Sequence, residues 1–166
     1  MKVLMARKGM RAGLGLVLAA VFSATAGAQS TVYWDIDGPT PGAGGPTPSG
    51  TWSAVATNWS PSAAGDAATA GWVSGTGAGD GPVGFFSAGS DATGAFTVTI
   101  DGTNFGSGIV VNQGTVTLSG SGVVQLGSGT VTVNPGASLG MNSLSRVTQS
   151  AGGLLVLDGA KLFSAN

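Results

Sequence analysis

From residue 94 onward the chain alternates apolar and hydroxyl-bearing side chains. Phe96-Thr-Val-Thr-Ile100 is the longest such run. Val116-Thr-Leu118 and Val131-Thr-Val133 repeat it, and Leu155-Val-Leu157 keeps the apolar pair. A period of two puts successive side chains on opposite faces of a strand, so Phe96, Val98 and Ile100 share one face and Thr97 and Thr99 the other. By the same pattern Val98, Ile100, Val116, Leu118, Val131, Val133, Leu155 and Leu157 are predicted to point into one core, with the threonines between them facing out.

The segments also resemble one another. Gly114-Thr-Val-Thr-Leu-Ser-Gly-Ser-Gly-Val123 aligns with Gly129-Thr-Val-Thr-Val-Asn-Pro-Gly-Ala-Ser-Leu139 and with Gly153-Leu-Leu-Val-Leu-Asp-Gly-Ala-Lys-Leu162. Each is a strand, a turn of small residues, and a further apolar position: Val123, Leu139 or Leu162. The first inward positions, Val98, Val116, Val131 and Leu155, recur at short and unequal intervals. Repeats of this kind, each burying its face against the next, predict an all-β fold, a right-handed parallel β-helix. The alternative is an antiparallel sandwich, whose turn signals recur every ~8–12 residues. Two-residue hairpin signals are scarce, Asp101-Gly102 and Asp158-Gly159 being the clearest.

Before residue 94 the texture differs. Residues 38–50 read GPTPGAGGPTPSG, with Gly-Pro-Thr-Pro at 38–41 and again at 45–48. Proline removes backbone donors and glycine resists ordering, so this stretch reads as loop or linker. Trp34, Trp52, Trp59 and Trp72 lie around it. Residues 60–84 are small and polar; Gly65 and the lack of an apolar stripe argue against a helix over 63–70.

Residues 1–28 read as a secretory signal. Lys2, Arg7, Lys8 and Arg11 form a basic start, and Ala12–Phe22 is an apolar run too short to span a bilayer. Ala26-Gly27-Ala28 then supplies small residues for cleavage before Gln29. The mature chain would retain Arg146 and Lys161 as its basic residues against seven aspartates, a net charge of −5. The sequence holds 31 glycines and no cysteine, histidine or glutamate. Disulfides, thiol nucleophiles, Cys/His metal sites and histidine triads are thereby excluded, and the charge offers no field for nucleic acid. A surface so poor in charge is wetted by hydroxyls and backbone, which favours β structure with many turns.

Tyr33-Trp34-Asp35, Ser49-Gly50-Thr51-Trp52-Ser53, Thr57-Asn58-Trp59-Ser60 and Trp72, followed by Phe86-Ser-Ala-Gly89 and the TVTI and GTVTL segments, resemble the opening of bacterial autotransporter-associated β-strand repeat proteins. The resemblance covers most of residues 33–162 and is most specific in the tryptophan-containing part. It implies an extracellular or surface-exposed β-solenoid passenger, outer-membrane-associated, with a structural or adhesive role and no catalysis. Such proteins are usually much longer. Here no C-terminal outer-membrane barrel pattern and no sorting tail is read, and Lys161–Asn166 falls in the middle of a further coil. A fragment is the resulting expectation.

Several residues invite a site. Asp35-Ile-Asp37-Gly38 looks like the start of a calcium loop, but residues 39–50 hold no carboxylate to complete it, so a turn with solvated aspartates is expected. Gly75-Thr-Gly-Ala-Gly-Asp80 is likewise read as loop. Polysaccharide-cleaving β-helices need carboxylates paired ~5–9.5 Å apart. Asp91, Asp101 and Asp158 fall in turns on separate coils, so no enzyme, no cofactor and no metal site is expected. The Thr97/Thr99, Thr115/Thr117 and Thr130/Thr132 pairs resemble the threonine arrays of ice-binding solenoids, but unequal spacing points to ordinary outward strand faces. Trp34, Trp52, Trp59 and Trp72 either pack as a cap over the terminal coil or, in the alternative reading, stay exposed as the stacking platform of a secreted carbohydrate-binding module.

The expected organisation is a signal peptide (1–28), a Trp/Gly/Pro-rich capping region (29–93) and solenoid coils (94–166). Expected partners are surface polysaccharide or other surface proteins, with no nucleic acid and no membrane span in the mature chain. The apolar last coil is also expected to self-associate through residues 153–163.

Overall fold

A computed structural model describes residues 29–142, 146–150, 152–157 and 161–165. Residues 1–28, where a signal peptide is expected, and Asp158 lie outside the described residues, as do the side chains of Leu157 and Leu162. The described chain is all-β. No helix occurs in it, so none there is long and apolar enough to cross a membrane.

Fourteen strands are laid down in order: β1 (Thr31–Trp34), β2 (Gly50–Trp52), β3 (Trp59–Ser60), β4 (Val83–Phe86), β5 (Ala95–Ile100), β6 (Thr103–Phe105), β7 (Gly108–Val111), β8 (Thr115–Ser119), β9 (Val123–Gln125), β10 (Thr130–Val133), β11 (Ser138–Asn142), β12 (Arg146–Thr148), β13 (Leu154–Leu157) and β14 (Lys161–Ala165). From β7 onward each strand pairs with the strand three places earlier. This gives one sheet ordered β13-β10-β7-β4-β1-β3, a second ordered β14-β11-β8-β5-β2 and a third ordered β12-β9-β6. The pairs run parallel except β1–β3, which is antiparallel.

Register explains the burial. In the first sheet Val83 lies beside Gly108, Gly108 beside Thr130 and Thr130 beside Leu154, so each step across the sheet is three strands along the chain. Like therefore stacks on like. Phe86, Val111 and Val133 form one inward column; Phe96, Val116 and Leu139 form another; Val98, Leu118 and Met141 a third. In the third sheet Asn104, Val124 and Val147 align. β5 alternates without exception, its threonines exposed and Phe96, Val98 and Ile100 buried. Val116, Leu118, Val131 and Val133 are buried with them.

Leu155 departs from its expected burial. It sits on the column Gly84–Ile109–Val131, yet it is 44 % exposed while Ile109 is 0 % and Val131 5 %. It faces the correct way, but no described layer lies over it. With Val131, Leu139, Met141, Val147 and Gln149 it lines an apolar cavity of about 80 Å³.

The expected repeat alignment is half right. Val131 and Leu155 are ladder partners, as are Leu139 and Leu162. The GTVTL and GTVTV segments are not equivalent: Thr115–Ser119 is a second-sheet strand and Thr130–Val133 a first-sheet strand. They look alike because threonine and valine suit any half-buried strand. The short interval between Val116 and Val131 thus crosses from sheet to sheet. The true second-sheet partner of Val116 on the preceding circuit is Phe96.

The boundary at residue 94 is also not a structural one. β1 and β2, from the tryptophan-rich region, are hydrogen-bonded in parallel to β4 and β5. The 38–50 stretch is an ordered loop and no free linker. Ala43 and Pro48 are buried. Asp91, distant in sequence, accepts the Ala43 N–H on Oδ1 at 2.9 Å and the Gly45 N–H on Oδ2 at 2.8 Å. Gly42, at φ +121°, passes so close that a Cβ there would lie 2.6 Å from Asp91 Oδ2.

Leu118→Ala empties a buried column position and should lower stability by about 2–5 kcal/mol. Thr97→Ala, on the exposed face, should change it by less than about 0.5 kcal/mol. Thermal unfolding followed by circular dichroism measures both. Asp91→Ala leaves two N–H groups without their acceptor. It should speed hydrogen exchange at Ala43 and Gly45 and cost about 1–3 kcal/mol.

Candidate functional site

The four tryptophans converge at the β1 end of the sheets. Trp34 ends β1, Trp52 ends β2, Trp59 opens β3, and Trp72 follows the short bridge between Trp59 and Ala70. Ring centroids stand 4.7 Å apart for Trp52–Trp72, 4.8 Å for Trp59–Trp72 and 5.0 Å for Trp52–Trp59. Trp34 meets Trp59 edge-on at 5.2 Å and 82°, and Phe86 joins the group from β4. Such tilted contacts set the positive edge of one ring against the negative face of another. All four rings are buried, with exposures of 0, 0, 1 and 2 %. An exposed stacking platform is therefore not what these residues form, because their faces are spent on one another.

The polar handles divide. Trp34 Nε1 donates to Pro48 O at 2.7 Å and Trp72 Nε1 to Phe105 O at 2.9 Å. Trp52 Nε1 and Trp59 Nε1 are buried with no hydrogen-bond acceptor among the described residues. Gly84 provides the room. A Cβ there would lie 3.0 Å from the Trp59 ring and 3.4 Å from Trp72.

Beside this cluster, Trp59 and Trp72 border a cleft of about 230 Å³, lined also by Val32, Pro61, Ala70 and Pro82. None of its lining residues is charged. Its volume is below the ~300–1,000 Å³ of a typical small-molecule pocket.

The described carboxylates stand in different surroundings. Asp35 is wholly buried and Asp101 is exposed. Asp91 has both oxygens engaged by the loop. Asp80 accepts the Thr76 hydroxyl at 2.9 Å within its own turn. No group of three metal-ligating side chains occurs among the described residues.

Asp35 is not the solvated turn residue expected. Its Oδ1 accepts the Asp37 N–H at 3.1 Å and the Gly38 N–H at 3.2 Å, while Oδ2 is buried with no donor. Burial raises its carboxyl to about 6 from an ordinary 3.8. The Asp37 N–H opposes the rise, the Asp37 side chain adds to it, and the Gly38 N–H opposes it again. Nothing in the sequence around Asp35 signals this burial, because it follows from the loop that returns over β1.

The threonine pairs part company. Thr97 lies beside Thr117, and Thr51 beside Thr99, on the outer face of the second sheet. There Thr99 Oγ1 is 3.3 Å from Ser119 Oγ. Thr130 and Thr132 stand on the first sheet. The unequal spacing in the sequence mixed two sheets, and within the second sheet the hydroxyls are in register.

Gly84→Ala should force a methyl group against two packed indoles. A loss of about 1–3 kcal/mol and a shift in tryptophan emission are expected, read by thermal unfolding and fluorescence.

Comparison with known proteins returns no match: no family model, no curated protein and no solved structure is similar to the chain.

Proposed function

We propose that this chain is a non-catalytic extracellular β-solenoid, a right-handed parallel β-helix with a structural or adhesive role at a bacterial surface, of the kind found in autotransporter-associated repeat proteins. One observation carries the reading. From β7 onward every strand stacks in parallel on the strand three places earlier, in three sheets around one apolar interior. A chain that circulates this way is a repeat scaffold whose outer faces do the contacting. Right-handedness is supported by the strong preference of parallel crossover connections for that hand. The basic, apolar and small-residue order of residues 1–28 supports export.

The in-register hydroxyls Thr51, Thr97, Thr99, Thr117 and Ser119 are the proposed contact surface. Purified protein should be retained saturably on insoluble surface polysaccharide or on bacterial cells, without releasing sugar. Thr97→Tyr with Thr117→Tyr should weaken retention at least tenfold while the circular dichroism spectrum stays unchanged. Retention that ignores this double change would move the contact to another face; release of soluble sugar would end the non-catalytic reading.

A second reading, a carbohydrate-binding module, rests on the uncharged cleft bordered by Trp59 and Trp72. In that case soluble glycans would change tryptophan fluorescence saturably, and Val73→Asp at the exposed rim would abolish the change.

A further inference from the structure

The first sheet carries an apolar row on its outer side. Phe86, Val111 and Val133 point inward and are wholly buried, so their predecessors Phe85, Val110 and Thr132 point outward. Ladder pairing sets Tyr33 beside Phe85, Phe85 beside Val110 and Val110 beside Thr132. All four are partly exposed. The Tyr33 and Phe85 rings stand 5.2 Å apart, tilted by 42°, so each holds the other in place while part of its surface stays open.

An amide row runs beside it. The Asn112 N–H donates to Phe86 O at 2.8 Å and the Asn134 N–H to Val111 O at 2.9 Å, which carries the parallel ladder one residue past the strands. Alternation therefore keeps both asparagines on the outer side. Asn112 is exposed, and its Oδ1 accepts Asn134 Nδ2 at 2.8 Å. That bond aligns the two amides and uses only one of the N–H groups they carry. None of the side chains in the two rows is charged.

Open ring surface beside amides is the chemistry that recognises a neutral sugar. A pyranose packs its C–H face on an aromatic ring and offers edge hydroxyls to amide donors and acceptors. The spacing fits as well. Both rows cross the strands and so advance ~4.8 Å per strand, close to the length one sugar adds to an extended chain. The rows lie two residues apart along the strands, ~6.6 Å, so a ring seated on the apolar row has its edge at the amides.

We propose that the outer face of the first sheet binds a neutral, extended glycan lying across β1, β4, β7 and β10. Tyr33 and Phe85 sit under its sugar rings, and Asn112 and Asn134 hold its edge. This site is separate from the second-sheet hydroxyls and from the cleft at Trp59 and Trp72.

Tyr33 is the single tyrosine of the chain, so its ring signals report on this face alone. The test is titration of protein carrying isotope-labelled tyrosine with cello-oligosaccharides of increasing length, followed by NMR, with calorimetry for affinity. The ring signals should shift saturably, and affinity should rise with length until the four strands are spanned and then level off. Phe85→Ala should weaken binding about tenfold, as loss of an aromatic anchor does. Asn112→Ala, on the exposed row, should weaken it about two- to tenfold and keeps the proposal testable if Phe85→Ala fails to fold. Tyrosine signals that stay fixed at millimolar sugar would overturn the proposal, and a simultaneous change in tryptophan fluorescence would place the sugar in the cleft. Binding unchanged in both variants would overturn it too. So would signals that move with protein concentration alone, because the face would then join copies of the chain. None of these results bears on the second-sheet surface, which is read by retention on cells with Thr97 and Thr117 changed.

Discussion

The described structure depends above all on one constraint: from β7 onward each strand lies in parallel register on the strand three places earlier. Because the hydrogen bonds run between circuits, a residue's neighbour above and below is set by register and not by sequence proximity. Apolar columns such as Phe96–Val116–Leu139 then close without a helix or a disulfide. Slipping one strand by one residue would turn Val116 and Leu118 outward and bury Thr115 and Thr117, so the alternating pattern itself enforces the register.

The two ends meet this constraint differently. At the β1 end four indoles and Phe86 fill the core, and Gly84 leaves room for Trp59 and Trp72. The antiparallel strand β3 and the loops around it cover the rings. At the other end the first sheet ends at β13 and the third at β12, and exposure climbs along Ile109, Val131 and Leu155.

Scarcity of charge shapes the loops as much as the core. No basic residue lies between 29 and 142, and two aspartates there take backbone N–H groups. Asp91 does so from a distant segment and Asp35 within its own turn. These contacts organise a Gly/Pro-rich stretch that has little intrinsic order. Outside, the sheets present different chemistry. The first carries Tyr33 against Phe85, with ring centroids at 5.2 Å, and the second carries hydroxyls.

How far the sequence reached is clear from particular residues. The period of two in Phe96–Ile100 determined strand, inward face and outward threonines, because pleating couples spacing to side directly. Low charge and frequent glycine determined a turn-rich β chain. Which strand lies beside which was another matter. The two GTVT segments have the same local chemistry, and only the pairing of strands into separate sheets distinguished them. The tryptophans were legible as large apolar groups, but whether they faced sugar or one another depended on how β1, β2, β3 and β4 met. The burial of Asp35 and the grip of Asp91 on Ala43 and Gly45 left no local trace. Each arises from contact between segments far apart in the chain, and only the tertiary structure brings those atoms within hydrogen-bonding distance.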